Sequence, residues 1–420
     1  MHNAHSLLLM GFGQSNMDFF QAQPCIFPDV DNKSPIYCPN DGLGIRGRLG
    51  LLIGEGPNPD DFTGLIPIRE DTFNGQSMLA VAAETLYRSR KSKGLERVVV
   101  RSEARGGRPL IGYNREITGR IVEVEGIFRT ADGSLGRPFR NLLKTTINLM
   151  NLAKETGPPI KHIYLCWAHG EADRSKNYDS YLKRLYELMD YYDEMVSEQG
   201  ASVTWMFIQP GGTNCSGNGN RWPNRLVLLE VSDQRENAFT CAAAYWTPLH
   251  DGIHYSAQGR VALGERVGQM IARIEAGESG ELPRPRHAVL DGNKLIVTFD
   301  TDAPLLLDEE ADIPVEPAYG FQSFDLTRTT IKSVEILGSS TVCLTFENTP
   351  DYETLQVVYA YRNWTIKDDS LGGSSELPIG RGALRTVDSP PSEFLEKKAQ
   401  HTWVASFSIT KDDIEFAIDK

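Results

Sequence analysis

The segment that decides the fold lies near the start of the chain, where residues 5–17 read HSLLLMGFGQSNM. The apolar run from Ser6 to Phe12 predicts a buried strand, and Gly11 and Gly13 permit a sharp turn at its end. A serine at the turn from a parallel strand into a helix lies where backbone N–H groups converge, so its hydroxyl can attack a carbonyl carbon while its own amide stabilises the oxyanion. Ser15 has this position, although serines in glycine-rich turns are more often helix caps.

Short apolar runs of the same kind alternate with helical patterns up to about residue 275. Besides the first, the predicted strands cover residues 97–101, 162–167, 203–208 and 239–245. The predicted helices cover residues 77–90, 140–154, 178–197 and 257–275. This alternation is typical of a parallel sheet with helices on both faces, so residues 1–276 are predicted to form an α/β domain. Two stretches without a clear period, 21–74 and 111–137, are predicted to be long loops that either wall a substrate cleft or decorate the surface.

The pattern changes after this region. Residues 276–286, AGESGELPRPR, predict a hinge rich in Gly, Pro and Glu. Runs of period two follow it at residues 294–299, 330–337, 340–346 and 354–361. Short strands separated by turns are typical of an all-β sandwich, so residues 287–420 are predicted to form a second, accessory domain of that class.

Charge and composition exclude several classes of partner. The chain of 420 residues has 43 basic and 56 acidic residues, and its net charge of −13 disfavours nucleic acid and anionic lipid. No window approaches the roughly 20 apolar residues of a membrane helix, and the six cysteines contain no C-x-x-C pair typical of zinc or redox sites. The amino-terminal apolar run lacks a basic flank and a cleavage site, which predicts no signal peptide and a cytoplasmic protein, or one released by lysis or carried on a virion. The sequence indicates no oligomeric state.

A second segment with catalytic chemistry stands before the last predicted helix of the α/β region, where residues 249–255 read LHDGIHY. Asp251 lies three residues ahead of His254 in a loop that contains Gly252. Its carboxylate can reach the Nδ1–H of that histidine, which fixes the tautomer and leaves Nε2 as a base toward a serine. A loop capped by Asp251, with a His254 that is merely hydrogen-bonded, is the alternative interpretation.

These segments carry a specific resemblance. Residues 13–17, GQSNM, and 251–254, DGIH, resemble the first and last blocks of the SGNH hydrolases, in the branch of sialate O-acetylesterases and acetylxylan esterases. Residues 104–110, ARGGRPL, and 167–173, WAHGEAD, are similar to the two middle blocks and stand in the right order. The resemblance implies a flavodoxin-like three-layer SGNH fold for the α/β domain. Residues 320–321 and 358–363 are similar to stretches of the accessory β domain of these esterases, so the resemblance extends to about residue 365.

The resemblance also implies a role for each matching residue. Ser15 would be the nucleophile, His254 the general base and then acid, and Asp251 the group that orients His254. The oxyanion hole would combine the amide of Ser15 with that of Gly107, or less favourably Gly106, and a side-chain donor. His169 occupies the position of that donor, where the family has a glutamine.

Three more side chains support this arrangement in the resemblance. Gln14 and Asn16 flank the nucleophile and are expected to secure its loop by hydrogen bonds. Glu171 either braces the turn that carries Ser15 or His169, which is the favoured interpretation, or forms an acidic wall of the pocket.

The activity that these residues imply is the removal of O-acetyl groups from a carbohydrate or polysaccharide through an acyl-enzyme, without metal or organic cofactor. Two other functions stay open on the sequence. One is a carbohydrate-binding protein on the same fold whose oxyanion hole is impaired at His169. The other is a lipid or thioester hydrolase, which the lack of an apolar lid-like helix disfavours.

Overall fold

The first strands along the chain form one large sheet and a separate hairpin. The computed structural model describes residues 5–18, 25–26, 34–46, 62–68, 75–173, 177–211, 223–250, 253–310, 318–360 and 381–416. The strands up to residue 243 are β1 His5–Gly13, β2 Ile36–Pro39, β3 Leu65–Pro67, β4 Leu95–Ser102, β5 Tyr113–Ile117, β6 Arg120–Val124, β7 Ile160–Ala168, β8 Ser202–Gln209 and β9 Ala238–Ala243. The large sheet has the order β3-β2-β4-β1-β7-β8-β9, and its pairs are parallel except β2 with β3. The carboxyl end of β1 therefore lies between the ends of β4 and β7.

Helices cover both faces of this sheet. Those in the described residues are α1 Met78–Arg90, α2 Arg137–Thr156, α3 Tyr178–Glu198, α4 Pro223–Gln234 and α5 Ala257–Ile274, and none of them is long and apolar enough to cross a membrane. Leu7 and Leu9 of β1 belong to a buried cluster with α1 and α5, whereas Leu8 and Met10 belong to a second cluster with α2, α3 and α4. Side chains that alternate between two cores are typical of a strand buried on both faces. The predicted α/β fold with a parallel sheet is therefore confirmed.

Two glycines allow α1 and α5 to pack closely. A Cβ atom at Gly264 would lie 2.3 Å from the carbonyl oxygen of Met78, and one at Gly268 would lie 2.5 Å from that of Ala82. No side chain fits between backbones at this distance. Helix α5, which begins three residues after His254, is thus held tightly against α1.

The two stretches predicted as long loops contain strands, and one helix was not predicted. Residues 21–74 contribute β2 and β3 to the sheet, and residues 111–137 contain the hairpin of β5 and β6, so the prediction of loops alone was wrong. These strands have three to five residues, too few for a clear period, and the hairpin is exposed from residue 113 to residue 123. Helix α4 has no counterpart among the predicted helices, because its apolar residues form one short run, LVLL.

The rest of the described chain consists mainly of strands. They are β10 Arg284–Asp291, β11 Lys294–Asp300, β12 Leu305–Leu307, β13 Phe321–Phe324, β14 Ile331–Ile336, β15 Thr341–Phe346, β16 Gln356–Tyr359, β17 Leu384–Thr386, β18 Phe407–Thr410 and β19 Ile414–Phe416. They form sheets of order β14-β15-β11-β10-β19, β13-β16-β18 and β12-β17. The four predicted runs correspond to β11, β14, β15 and β16, whereas β10 begins inside the predicted hinge.

These C-terminal strands share buried contacts with the parallel sheet. The hydroxyls of Tyr245 and Tyr359 lie 3.2 Å apart. Gln209 at the end of β8 donates to the carbonyl oxygen of Ser406 and accepts from its amide, at 3.0 and 2.8 Å. One buried cluster runs through both regions. Whether residues 287–420 are a separate sandwich domain stays a prediction.

Candidate active site

The turn after β1 depends on a glycine. Gly13 has a φ of +137°, and a Cβ atom there would lie 2.0 Å from the carbonyl oxygen of Ala168 on β7. The next amide, that of Gln14, donates to the same oxygen at 2.8 Å. Only glycine fits this close approach at such a φ. The turn therefore places Ser15, which is half-buried, at the carboxyl edge of the sheet.

The structure brings Ser15 and His254 together across 239 positions of the chain. The Nε2 atom of His254 lies 2.8 Å from the Oγ of Ser15. The loop that carries His254 is closed by a hydrogen bond from the amide of Ser256 to the carbonyl oxygen of Pro248, 2.9 Å long. Ser256 also caps α5, because its hydroxyl accepts from the amide of Gly259 at 3.1 Å.

The third member of the predicted triad, Asp251, lies outside the described residues, as does Gly252. The orientation of His254 by Asp251 therefore stays a prediction. The residues on either side of Asp251 and Gly252 are joined by a hydrogen bond, in which the amide of His250 donates to the carbonyl oxygen of His254 at 2.6 Å.

Asn16 joins three segments of the site. Its Nδ2 donates to Glu171 at 2.6 Å and to the carbonyl oxygen of Ile253 at 3.2 Å, and its Oδ1 accepts from the amide of Tyr255 at 3.1 Å. The side chain is fully buried. Buried amides with this many partners fix the geometry around them. Asn16 thus holds the serine turn and the histidine loop in register, which agrees with its expected supporting role.

Glu171 lies beneath the serine turn. Its carboxyl group is enclosed, and burial raises its pKa, although the hydrogen bond from Asn16 and the positive charge on a protonated His254 act in the opposite direction. The bond to Asn16 is the contact that the bracing interpretation requires. The contact therefore favours the interpretation of Glu171 as a brace over that of an acidic pocket wall.

Gln14 connects the same turn to the two middle blocks. Its Nε2 donates to the carbonyl oxygen of Arg108 at 2.7 Å, and its Oε1 accepts from the amide of Gly170 at 3.0 Å. The side chain is buried. The loop after β4 and the loop after β7 are thereby fixed to the residue before the nucleophile.

The glycine loop after β4 lies against the nucleophile. A Cβ atom at Gly106 would lie 3.4 Å from the Cβ of Ser15, and the amide of Arg105 donates to the carbonyl oxygen of Gly13 at 3.0 Å. Gly107 has a φ of +65°, and among the described residues no atom other than those of its chain neighbours lies within 4 Å of the position of its missing Cβ. Gly107 thus follows the residue that packs on Ser15 and has the left-handed backbone conformation that favours glycine.

His169 has a different environment from the predicted one. Its Nε2 lies 3.2 Å from the carbonyl oxygen of Arg108, and its Nδ1 lies 2.8 Å from the hydroxyl of Tyr181. A carbonyl oxygen only accepts, so the proton belongs on Nε2 and the tyrosine donates to Nδ1. Burial lowers the pKa of His169 to about 3, so the ring is neutral and has one N–H.

This arrangement corrects the expectation that His169 donates to an oxyanion. Its single N–H is directed to Arg108, and the ring stacks on Tyr181 with centroids 5.9 Å apart. The physical reason is burial: His169 is 1% exposed and lies under the glycine loop. The residue therefore supports that loop from below.

A buried arginine and a buried ion pair near Ser15 were not predicted. Arg260 on α5 donates to the carbonyl oxygens of Asn16 and Ser15, at 2.8 and 3.3 Å. Arg46 donates to Asp18 at 2.6 Å, and a Cβ atom at Gly106 would lie 3.9 Å from that carboxylate. A sequence signal could have found Arg260: it is an arginine on the apolar face of a predicted helix, six residues after His254.

Burial raises the pKa of Asp18 to about 7, although the guanidinium of Arg46 acts in the opposite direction. The side chain of Asp18 is 9% exposed and that of Arg46 is 3% exposed. A buried acid paired with Arg46, three residues after the nucleophile, makes the turn sensitive to pH.

Comparison with known proteins gives a fold-level result. No family profile matches this chain, and no curated protein matches it. The chain is similar to the crystal structure of a novel carbohydrate acetylesterase from Xanthomonas citri, with a TM-score of 0.56 and 14% identity over 96% of this chain and 80% of that one. This chain has the overall fold of that protein.

Two further solved structures share less of the chain. A protein from Arabidopsis thaliana gives a TM-score of 0.41 and 15% identity, covering 63% of this chain and 96% of that one. A carbohydrate acetylesterase from Sinorhizobium meliloti gives a TM-score of 0.32 and 13% identity, covering 65% and 99%. At these TM-scores the similarity says nothing about the residues of the site.

Proposed function

We propose that this chain is a serine esterase that removes O-acetyl groups from a carbohydrate through an acyl-enzyme on Ser15. The observation that carries the proposal is the distance of 2.8 Å between the Oγ of Ser15 and the Nε2 of His254 at the carboxyl edge of the parallel sheet. A nucleophile within hydrogen-bond reach of a base, at the edge where α/β folds place their sites, is the arrangement that acyl transfer needs.

In the first step, His254 accepts the proton of Ser15 as its Oγ attacks the acetyl carbonyl carbon. The oxyanion that forms is stabilised by the amides of Ser15 and Gly107. His169 is left out of this role because its N–H is directed to Arg108. Each oxyanion donor lowers the activation barrier by about 3 kcal/mol in comparable enzymes.

In the second step, the tetrahedral intermediate collapses and protonated His254 gives its proton to the leaving sugar oxygen. Water, deprotonated by the same nitrogen, then attacks the acetyl-Ser15 ester and releases acetate. Asp251 is assigned the task of holding the Nδ1–H of His254. No cofactor is required at any step.

The carbohydrate part of the proposal rests on two likenesses. Four sequence blocks in order resemble those of carbohydrate O-acetylesterases, and the similar fold in Xanthomonas citri belongs to a carbohydrate acetylesterase. The acetyl part rests on the same two likenesses.

The decisive experiment compares Ser15→Ala and His254→Ala with wild type on an aryl acetate and on acetylated xylan. Each variant should lower kcat by about four orders of magnitude or more, because the two residues act as one unit. His250→Ala is the matched control, since this exposed histidine lies in the same loop. Equal turnover by wild type and Ser15→Ala would refute the proposal.

One observation favours a second candidate, a carbohydrate-binding protein without activity. The side-chain donor that the family resemblance places in the oxyanion hole is directed elsewhere in this structure, so the hole has one donor fewer. An inactive wild type that still binds an acetylated glycan would support this candidate.

A further inference from the structure

A cavity lies where the start of α5 meets the C-terminal strands. Its volume is about 310 Å³, which is within the range of small-molecule sites. Trp246 and Gln258 line it from the α/β region, and Arg385, His401 and Trp403 line it from the C-terminal region. Both regions are needed to form it.

This cavity is distinct from the site around Ser15. On α5, Gln258 and Ala262 are four residues apart and face the cavity together. Arg260, which lies between them in sequence, is directed to the carbonyl oxygens of Ser15 and Asn16. Residues two apart on a helix point to opposite sides, so α5 separates the two sites.

Two tryptophans form an aromatic wall of the cavity. The rings of Trp246 and Trp403 are stacked, with centroids 6.3 Å apart and an interplanar angle of 24°. Trp403 is buried and packs edge-on against His401, whereas Trp246 is half-buried. A buried ring behind a partly exposed one fixes a flat apolar surface, on which the C–H face of a sugar ring can stack.

The polar groups of the cavity are held in place by one another. Arg385 donates to Asp308 at 2.5 Å and to the hydroxyl of Ser389 at 2.9 Å, and that hydroxyl lies 2.8 Å from the Nδ1 of His401. Asp308 and Arg385 are largely buried, with side chains 8% and 11% exposed. Such a fixed set of planar donors and acceptors suits the hydroxyl pairs of a sugar.

The charges around the cavity balance. Asp308 and Glu310 are acidic, and Arg385 and Lys398 are basic. The chain as a whole has a net charge of −13, so this balance is a local property. A balanced cavity with a buried ion pair favours an uncharged ligand, because a charged ligand would leave one sign uncompensated.

We propose that the cavity between Trp246, Gln258 and His401 binds a neutral saccharide unit, as a site separate from the one at Ser15. The aromatic wall supplies stacking and the group of Asp308, Arg385 and His401 supplies hydrogen bonds. The proposal goes beyond the esterase activity and does not depend on it.

The test titrates the full chain with xylotetraose, cellotetraose and N-acetylneuraminic acid by calorimetry. At least one neutral tetraose should bind with a Kd of about 1 mM or lower. Trp246→Ala should weaken that binding at least about tenfold by removing the stacking surface. Gln258→Trp should do the same by filling the cavity from the exposed side of α5, without removing a packed residue.

Tyr191→Ala is the matched control, because Tyr191 is an aromatic residue 41% exposed on α3 and does not line the cavity. It should leave saccharide binding unchanged, and all three variants should retain the aryl-acetate hydrolysis of wild type. No binding of either tetraose up to about 10 mM, binding of the acidic sugar alone, or binding insensitive to both cavity variants would each overturn the proposal. Loss of hydrolysis in either cavity variant would contradict the separation of the two sites. A wild type that binds the saccharide but hydrolyses no aryl acetate would count against the esterase proposal only.

Discussion

The turn after β1 and the hairpin of β5 and β6 are both short, polar and glycine-containing, yet they have opposite environments. In the turn, the side chains of Gln14, Asn16 and Asp18 are buried and each has hydrogen-bond partners in distant segments. The hairpin is exposed along residues 113–123 and pairs only with itself among the described sheets. The comparison teaches that composition does not reveal how tightly a loop is fixed; the partners of its polar groups do.

The largest difference is expected between two glycines. Gly13→Ala should lower the free energy of unfolding by about 4 kcal/mol or more, or prevent folding, because the new Cβ would lie 2.0 Å from the oxygen of Ala168. Gly119→Ala in the hairpin is the matched control: its φ is +76°, but nothing in the part of the chain that the structure describes lies within 4 Å of its Cβ position. Its cost should be about 1 kcal/mol. Equal losses in urea unfolding would show that the turn is not tightly fixed.

The next largest effect concerns pH. The pKa of Asp18 is about 7 in the folded chain and about 3.9 in an unfolded one, so the folded state holds this proton more tightly. The contribution of Asp18 to the free energy of unfolding, up to about 4 kcal/mol, is therefore fully present below about pH 4 and is lost as the pH rises through 7. Urea unfolding of wild type and Asp18→Asn between pH 4 and 8 measures this, since the variant lacks the titration. Parallel pH curves for the two proteins would contradict the prediction.

A smaller effect is expected at Asn16. Asn16→Ala removes the contacts with Glu171, Ile253 and Tyr255, so Ser15 and His254 lose their common support. We expect kcat for an aryl acetate to fall about 100-fold, because small displacements of reacting groups have effects of this size. Asn114→Ala on the exposed strand β5 should leave kcat unchanged. A wild-type kcat in Asn16→Ala would mean that the turn holds its shape without this side chain.

The smallest effect is expected at His169. Since its N–H donates to the carbonyl oxygen of Arg108, His169→Ala should lower kcat only about tenfold, through the position of the glycine loop. Loss of a direct oxyanion donor would lower kcat by 100-fold or more. Tyr181→Phe, which removes the hydroxyl that holds the ring, should have an effect no larger than His169→Ala. A larger loss in His169→Ala would restore the role that the family resemblance implies.

The long, regularly patterned elements could be predicted from the sequence. The apolar runs at β1, β4, β7 and β8 are continuous because both faces of these strands are buried. Strand β3 and the exposed hairpin have no such pattern, since their residues contribute little to either core. Strand β2 contributes Ile36 and Cys38 to one core, but its four residues are too few to show a period. The hydrophobic pattern of a sequence arises from burial, so short or exposed elements cannot be recognised from it.

The parts of the candidate site that depend on contacts between side chains could be predicted from the sequence. The pairing of Ser15 with His254 is implied by two motifs far apart in the sequence, and the structure brings them together. The environment of His169 was not, because it depends on a backbone carbonyl at Arg108 and on Tyr181, a residue of another helix. Contacts to the main chain do not depend on the identity of the residue that supplies them, so they leave no mark in the sequence.

The central place of β1 in the sheet has an evolutionary consequence. After β1 the chain forms β2 and β3, reaches β4 through α1 on one face and then reaches β7 through α2 on the other, so connectivity alone places a crevice at the end of β1. Its existence does not depend on the residues that line it. Substitutions in the lining can therefore change the shape of the crevice while the strand that presents the serine keeps its place in the sheet.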